Sequence, residues 1–173
     1  MGGGLVANGT IDVSPVVSGG PGGNVSIRTD AQASVGATIK ADGGNVSIDA
    51  AGIDLSGTVT GDTVQLHGTS GKGVIGQSGG ALATASLSID AVGNVVLGSA
   101  SNAIGSLGTS TVGGGLVLTT GTGLTQTGAL AVAGTSSFTT SGTLRLDDAK
   151  NSFGDPVSIA AGGDATLRSA RAM

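Results

Sequence analysis

One short segment occurs twice with the same sequence, and its spacing constrains the fold more than any other feature of the chain. Residues 23–27 and 44–48 both read Gly-Asn-Val-Ser-Ile, and a looser copy, Gly-Asn-Val-Val-Leu, occupies residues 93–97. A unit of about 20 residues with two or three short strands cannot bury its own apolar side, so it must stack on neighbouring units. The spacing therefore predicts a solenoid.

Apolar residues alternate with polar ones along most of the chain, which is the period of a β-strand. The alternating pairs are Ile53/Leu55, Val64/Leu66, Leu87/Ile89, Leu116/Leu118, Leu130/Val132, Leu144/Leu146 and Val157/Ile159. Breaks rich in Gly, Asn, Asp and Ser separate them, and these residues favour turns. We predict an all-β fold, a right-handed parallel β-helix of roughly eight coils. Its inward residues should include Val46, Ile48, Leu66, Ile89, Leu118, Leu146 and Ile159.

The small number of aromatic residues favours this fold over a β-sandwich. The chain has two Phe and no Trp or Tyr, whereas a sandwich usually fills the space between its sheets with aromatic side chains. In the β-helix, Asn24 should stack on Asn45 as part of an amide ladder along the axis. We expect residues 1–173 to form one solenoid segment, a piece of a longer protein, with residues 68–80 as an extruded loop.

Composition also narrows the classes of function. Only 10% of residues are charged, the net charge is −4, and the seven Lys and Arg are scattered, which disfavours a nucleic-acid partner. No apolar run is long enough for a membrane helix, so membrane insertion is not expected. The chain has no Cys, which excludes disulfides and thiolate sites within it.

Three longer segments carry a resemblance to a known family. They are Leu-Val-Leu-Thr-Thr-Gly-Thr-Gly-Leu-Thr-Gln-Thr-Gly-Ala-Leu at 116–130, Gly-Thr-Leu-Arg-Leu-Asp-Asp-Ala-Lys-Asn-Ser-Phe-Gly at 142–154, and Val-Ser-Ile-Ala-Ala-Gly-Gly-Asp-Ala at 157–165. Together with residues 44–50, this order resembles the repeat region of filamentous-haemagglutinin-like exoproteins, the large adhesins of two-partner secretion in Gram-negative bacteria. The resemblance implies a right-handed parallel β-helix and a role in surface adhesion.

On that resemblance we expect a shaft segment of a secreted or cell-surface adhesin without catalytic activity. Its expected partners are neighbouring coils of the parent protein, another copy bound end to end, and a host receptor or surface glycan. The alternatives are a self-assembling filament or engineered scaffold and, less favoured, a polysaccharide-acting or ice-binding β-helix. A polysaccharide-acting site would need acids, bases and aromatic platforms in one groove.

Several short motifs suggest chemistry, but each has a simpler structural interpretation. Residues 71–76 fit G-x-G-x-x-G, yet no helix start follows to present backbone N–H groups to a phosphate. His67 is the only histidine, and we interpret it as a solvent-facing residue near a strand end. Asp147 and Asp148 fit a turn, since adjacent strand residues point to opposite faces.

The remaining motifs are equally unspecific. Asp42, Asp62, Asp90 and Asp164 lack the nine-residue period of a calcium-binding β-roll. The Thr-x-Thr-like segments at 58–60, 109–111, 120–122 and 125–127 are too irregular for an ice-binding face and fit solvated strand positions. Turn and ladder roles explain the glycosylation-like sequons at Asn8, Asn24 and Asn45. We therefore predict no catalytic, cofactor-binding or metal site, and no cofactor.

Overall fold

The computed structural model describes residues 5–7, 9–13, 22–71 and 73–170, and within them the chain forms β-strands joined by turns. The strands are β1 Leu5–Ala7, β2 Thr10–Asp12, β3 Val25–Arg28, β4 Gln32–Val35, β5 Thr38–Ala50, β6 Gly52–Leu55, β7 Val59–Gly68, β8 Ile75–Gln77, β9 Leu82–Ala91, β10 Val95–Leu97, β11 Ala103–Leu107, β12 Ser110–Val112, β13 Leu116–Thr120, β14 Thr125–Gln126, β15 Leu130–Val132, β16 Ser136–Thr140, β17 Leu144–Leu146, β18 Ser152–Phe153, β19 Val157–Ala161 and β20 Ala165–Leu167. The described residues contain no helix that could cross a membrane.

The strands stack in parallel, each on the equivalent strand of the next coil. One sheet has the order β1-β4-β6-β8-β10-β13-β16-β19, a second runs through β2, β5, β7, β9, β12, β15 and β18, and β17 pairs with β20. The long strands β5, β7 and β9 stack on one another and each extends over two faces of the coil. In the next coil, two shorter strands, β11 and β12, take the place of the single long strand and both pair with β9. The predicted all-β, parallel β-solenoid fold is confirmed.

The solenoid makes about seven turns, whereas the sequence predicted roughly eight. Leu5 pairs with Ala33, 28 residues further on, while Ala33 pairs with Ile53, only 20 residues further on. Later coils keep a spacing near 20, as in the pair Leu116 and Ser136. The first coil takes eight residues more than the 20-residue spacing of the second, which reduces the number of turns that the chain can make.

The core is a narrow apolar column inside the coils. Six of the predicted inward residues are buried, each with an exposed fraction of 1% or less: Val46, Ile48, Leu66, Ile89, Leu118 and Leu146. Ile159 is 36% exposed. It pairs with the fully buried Phe138 and follows the same inward row, but no described strand covers its other side. Exposure at Ile159 therefore reflects its place in the last coil.

The segment predicted as an extruded loop, residues 68–80, is only partly a loop. Residues 75–77 form strand β8, which pairs with β6 and β10. Ile75 is 1% exposed and stacks between Ile53 and Val95. The many glycines concealed this single inward aliphatic residue. Earlier in the segment, the N–H groups of Thr69 and Ser70 donate to Ala50 O and Ala51 O of the preceding coil.

Candidate functional site

Four polar side chains on successive coils form a continuous row on the outer surface. Arg28 is paired with Asp49, Asp49 with His67, and His67 with Asp90. Each of them follows a buried aliphatic residue of its strand, so the alternation of a β-strand directs it outward. We call Arg28, Asp49, His67 and Asp90 the charged row.

The side chains of the charged row contact one another from coil to coil. Arg28 Nη2 lies 3.3 Å from Asp49 Oδ2, and His67 Nδ1 lies 3.2 Å from Asp49 Oδ1. On the other side, His67 Nε2 lies 3.6 Å from Asp90 Oδ2. Both carboxylate oxygens of Asp49 are thus engaged, and both ring nitrogens of His67 face a carboxylate.

A shallow groove of about 290 Å³ lies along this part of the surface. Its polar lining includes three residues of the charged row together with Ser47, Gln65, Ser88 and Thr109. Ser47, Gln65 and Ser88 form a second outward row beside the first, two residues earlier on the same strands. The groove therefore offers carboxylate, imidazole, amide and hydroxyl groups at the regular spacing of stacked strands.

The chemistry available to this groove is polar binding. The imidazole of His67 lies between two carboxylates, and its 3.6 Å distance to Asp90 Oδ2 is longer than a hydrogen bond. The Asp90 side chain is 70% exposed and that of Arg28 is 82% exposed. Ion pairs this exposed contribute at most about 1 kcal/mol each to stability.

The prediction that His67 faces solvent is confirmed, since its side chain is 47% exposed at the penultimate position of β7. The aspartates on either side of it were missed. The signal was present in the sequence, because Ile48-Asp49, Leu66-His67 and Ile89-Asp90 each place a charged or titratable residue directly after an inward aliphatic. Aligning the coils on these pairs would have revealed the row.

The glycine-rich motif at residues 71–76 does not form a phosphate-binding turn in the described residues. Ile75 is buried in β8 and the chain continues through the strand to Gln77 without a helix. Lys72 lies outside the described residues.

Asp147 and Asp148 follow β17, and the predicted turn begins at Asp148, whose carbonyl oxygen accepts from the Asn151 N–H at 3.2 Å. Asp147 accepts a hydrogen bond of 2.7 Å from Arg145 Nε, while Asp148 Oδ1 accepts one of 2.8 Å from the Lys150 backbone N–H. The two carboxylates therefore have separate partners and do not act as a pair.

The Thr-x-Thr-like segments do not come together in the stacked coils, and neither do the remaining acidic residues. Thr60 stacks between Lys40 and Ala83 and Thr111 between Asp90 and Ala131, so these threonines form no continuous row. Among the described residues, no group of three or more His or Asp side chains is placed to hold a metal ion.

The predicted asparagine ladder is built differently from expectation. Asn24 Oδ1 accepts a hydrogen bond of 2.9 Å from the Asn45 backbone N–H, and Asn94 Oδ1 accepts one of 2.8 Å from the Gly115 N–H. These side chains thus bond to the backbone of the next coil. Asn8, the third sequon asparagine, lies outside the described residues.

Sequence reasoning missed a pair of side-chain amides between neighbouring coils, a half-buried Gln and a buried Asn. Gln77 Nε2 donates to Asn102 Oδ1 at 2.8 Å, and Asn102 Nδ2 donates to Gln77 Oε1 at 2.9 Å. Asn102 Oδ1 also accepts from the Leu82 N–H at 2.8 Å, and Nδ2 donates to Thr119 O at 3.0 Å. Asn102 is 1% exposed. We call Gln77 and Asn102 the first amide clamp.

The same arrangement recurs with Gln126 and Asn151, the second amide clamp. Gln126 Nε2 donates to Asn151 Oδ1, and Asn151 Nδ2 returns a bond of 3.0 Å to Gln126 Oε1. Asn151 Oδ1 also accepts from the Leu130 N–H at 2.8 Å, as Asn102 does from Leu82. Asn151 is fully buried. In both clamps, Gln and Asn are 25 residues apart.

Comparison with known proteins gives one match. A family model described as repeats of unknown function (DUF5649) matches residues 92–160, which include Asn102 and the whole second clamp. No curated protein and no solved structure matches the chain. The matched segment is thus similar to a repeat family, which agrees with the stacked coils.

Proposed function

We propose that this chain is a structural shaft segment of a large secreted bacterial surface adhesin. The observation that supports the proposal is the unbroken parallel stack from β1 to β19, in which each strand hydrogen-bonds to the next coil. Such a stack transmits the position of one end to the other through backbone hydrogen bonds and a continuous apolar core. A chain built this way can hold its two ends at a fixed separation, as a shaft does.

The proposed role requires no catalysis by this segment. The shaft holds the distal tip of the parent protein away from the cell surface. Its own exposed faces bind a host receptor or a surface glycan. The groove beside the charged row, with its Gln65 amide and Ser88 hydroxyl, provides polar groups for such a contact.

In-register deletion within the full-length parent protein tests the shaft role. Removing residues 33–52 deletes one coil, because Ala33 and Ile53 occupy equivalent positions on β4 and β6. Cell-surface exposure of the parent protein and attachment of the bacterium should both be retained, since the remaining coils close over the gap. Deleting only residues 43–52 is the matched control. It removes half a coil, and the resulting mismatch should reduce the amount displayed.

Two outcomes would contradict the proposal. Normal attachment after deletion of the entire parent gene would show that the parent protein is not an adhesin. Loss of attachment after the one-coil deletion, with the protein fully displayed, would assign ligand binding to that coil instead of a spacer role.

A self-assembling filament is the second candidate, favoured by the exposed apolar residue Ile159 in the last coil. In that function, the last coil of one molecule binds the first coil of another, and filament length grows with concentration.

A further inference from the structure

The apolar core alone leaves the stacking register of this solenoid weakly defined. Side chains alternate with period two, so a strand that slips by two residues still directs the same kind of residue inward. Leu116 and Leu118 of β13, for example, face Val95 and Leu97 of β10. After a slip of two residues, one aliphatic pair is kept in either direction: Val95 would oppose Leu118, or Leu97 would oppose Leu116. The apolar rows therefore penalise a slip only in part.

The amide clamps discriminate between these registers. Asn102 contacts three successive coils: it bonds to Gln77 and Leu82 on one side and to Thr119 on the other. Asn151 likewise bonds to Gln126 and Leu130 of the preceding coil. A two-residue slip, about 6.6 Å along the strand, would separate these groups while Asn102 and Asn151 stay buried and the two Gln side chains half-buried. Buried polar groups without partners are costly.

We propose that Gln77 with Asn102, and Gln126 with Asn151, are the residues that set the stacking register of the solenoid. A single buried polar contact can select one register among several apolar alternatives in other repetitive folds. Here the contact uses both the oxygen and the nitrogen of each amide, so only one alignment of the two coils satisfies it.

The recurrence of the clamp in sequence supports a specific role. Gln77 is followed by Ser-Gly-Gly-Ala-Leu and Gln126 by Thr-Gly-Ala-Leu, while Asn102 begins Asn-Ala-Ile-Gly and Asn151 begins Asn-Ser-Phe-Gly. Each Asn also closes a four-residue turn, with its N–H donating to Ser99 O at 3.1 Å or to Asp148 O at 3.2 Å. The turn holds the asparagine at a fixed point of the coil, where it can define register.

Engineered disulfides measure the register directly, because the chain has no native Cys. Gly76 and Val96 are directly paired on β8 and β10, the two strands whose coils the first clamp joins, and both lie on the outward face. A Cβ at Gly76 would meet no atom closer than 3.9 Å, so a cysteine fits there. A Gly76→Cys/Val96→Cys protein reports the native register. Gly76→Cys combined with Asn94→Cys or with Gly98→Cys reports a slip of two residues in either direction. In the native register these latter pairs are too far apart for a disulfide.

With both clamps intact, only the native pair should form a disulfide under mild oxidation. Asn102→Val removes the first clamp and should raise the yield of a slipped disulfide by about tenfold or more. Gln77→Met serves as the second variant if Asn102→Val does not fold, since Asn102 then keeps its bonds to Leu82 and Thr119. The matched control is Ser99→Ala, which removes one exposed side-chain bond between the same two coils, from Ser99 Oγ to Gly80 O at 3.1 Å.

Slipped disulfides in the Asn102→Val and Gln77→Met proteins, but not in the Ser99→Ala protein, would support the proposal. Exclusive formation of the native disulfide in a folded Asn102→Val or Gln77→Met protein would overturn it, because apolar packing would then suffice to set the register. Equal slippage in the Ser99→Ala protein would also overturn it.

Discussion

Ser136 places a hydroxyl group in an inward row that is otherwise aliphatic. It stacks between Leu116 and Val157 and is 2% exposed, and its Oγ has no hydrogen-bond partner among the described residues. Burial of an unpaired hydroxyl is unfavourable. Ser136→Ala should therefore raise the free energy of unfolding by about 1 kcal/mol, measured by chemical denaturation.

Ser110 provides the opposite case and the control for Ser136. It is also 2% exposed, but its Oγ donates to Gly108 O at 3.0 Å and accepts from the Ile89 N–H at 3.1 Å. Ser110→Ala leaves both backbone groups unpaired and should lower the free energy of unfolding by about 1–3 kcal/mol. Changes of the same sign in the two variants would show that hydrogen bonding does not govern these sites.

Ile48 tests the apolar interior. It is fully buried and stacks between Ile27 and Leu66. Ile48→Asp places a carboxylate in this column without a cation beside it, and should cost about 3 kcal/mol or more in thermal or chemical unfolding. Asn45→Asp, on the exposed side of the same strand, is the control and should change stability little. A neutral effect of Ile48→Asp would refute the inward assignment.

The inward residues could be predicted from the sequence because a strand alternates with period two, and the pair Leu144 and Leu146 follows that rule. The buried Asn102 could not be predicted in the same way. Its role depends on Gln77, which lies 25 residues earlier, and neither residue interrupts the alternation of a strand. Polar residues of the interior become identifiable only when the coils are placed in register.

At the scale of the turns, glycine is required where the backbones of adjacent coils approach closely. A Cβ at Gly154 would overlap the Ala133 carbonyl oxygen of the preceding coil, whereas a Cβ at Gly98 would meet no atom within 4 Å. Gly154→Ala should therefore destabilise the protein by about 2 kcal/mol or more, since backbone must move to accept it. Gly98→Ala should be nearly neutral, and equal melting temperatures would contradict the close approach.

The strands themselves were predicted unevenly. The turn residues at 162–164 do separate β19 from β20, as predicted. The turn residues at 42–44 and 61–62 also predict breaks, but these predictions were wrong: the segments lie inside β5 and β7, and the first produces only a register shift between Ala41 and Asn45. Strand β8 was assigned to a loop because glycines surround its one inward aliphatic residue, Ile75. Short elements in glycine-rich segments acquire their structure from the coils on either side.

For the whole molecule, repeat spacing predicted stacking but not the number of coils. The 21-residue spacing of the two Gly-Asn-Val-Ser-Ile copies corresponds directly to the register of β3 on β5, where Val25 pairs with Val46 and Ile27 with Ile48. The first coil, from Leu5 to Ala33, contains the first of these copies but is 28 residues long, so the spacing of the copies does not give its length.

The last coil leads to a prediction about assembly. Strand β19 pairs only with β16 among the described residues, so its other edge presents unpaired backbone groups. Ile159 is 36% exposed there, and its row continues the buried residues Leu118 and Phe138. Residues 1–4 at one end of the chain and Arg171 at the other lie outside the described residues. Unprotected strand edges recruit other strands.

We therefore expect the isolated 173-residue chain to associate end to end as its concentration rises, with the coil of one molecule continuing into the next. Sedimentation velocity over a wide concentration range measures this association. Ile159→Lys should suppress it by placing a charge on the apolar edge, while Ser158→Lys, on the outward side of the same strand, should suppress it less. A monomer at every concentration would show that the coil ends are covered and that the edge of β19 does not recruit a second molecule.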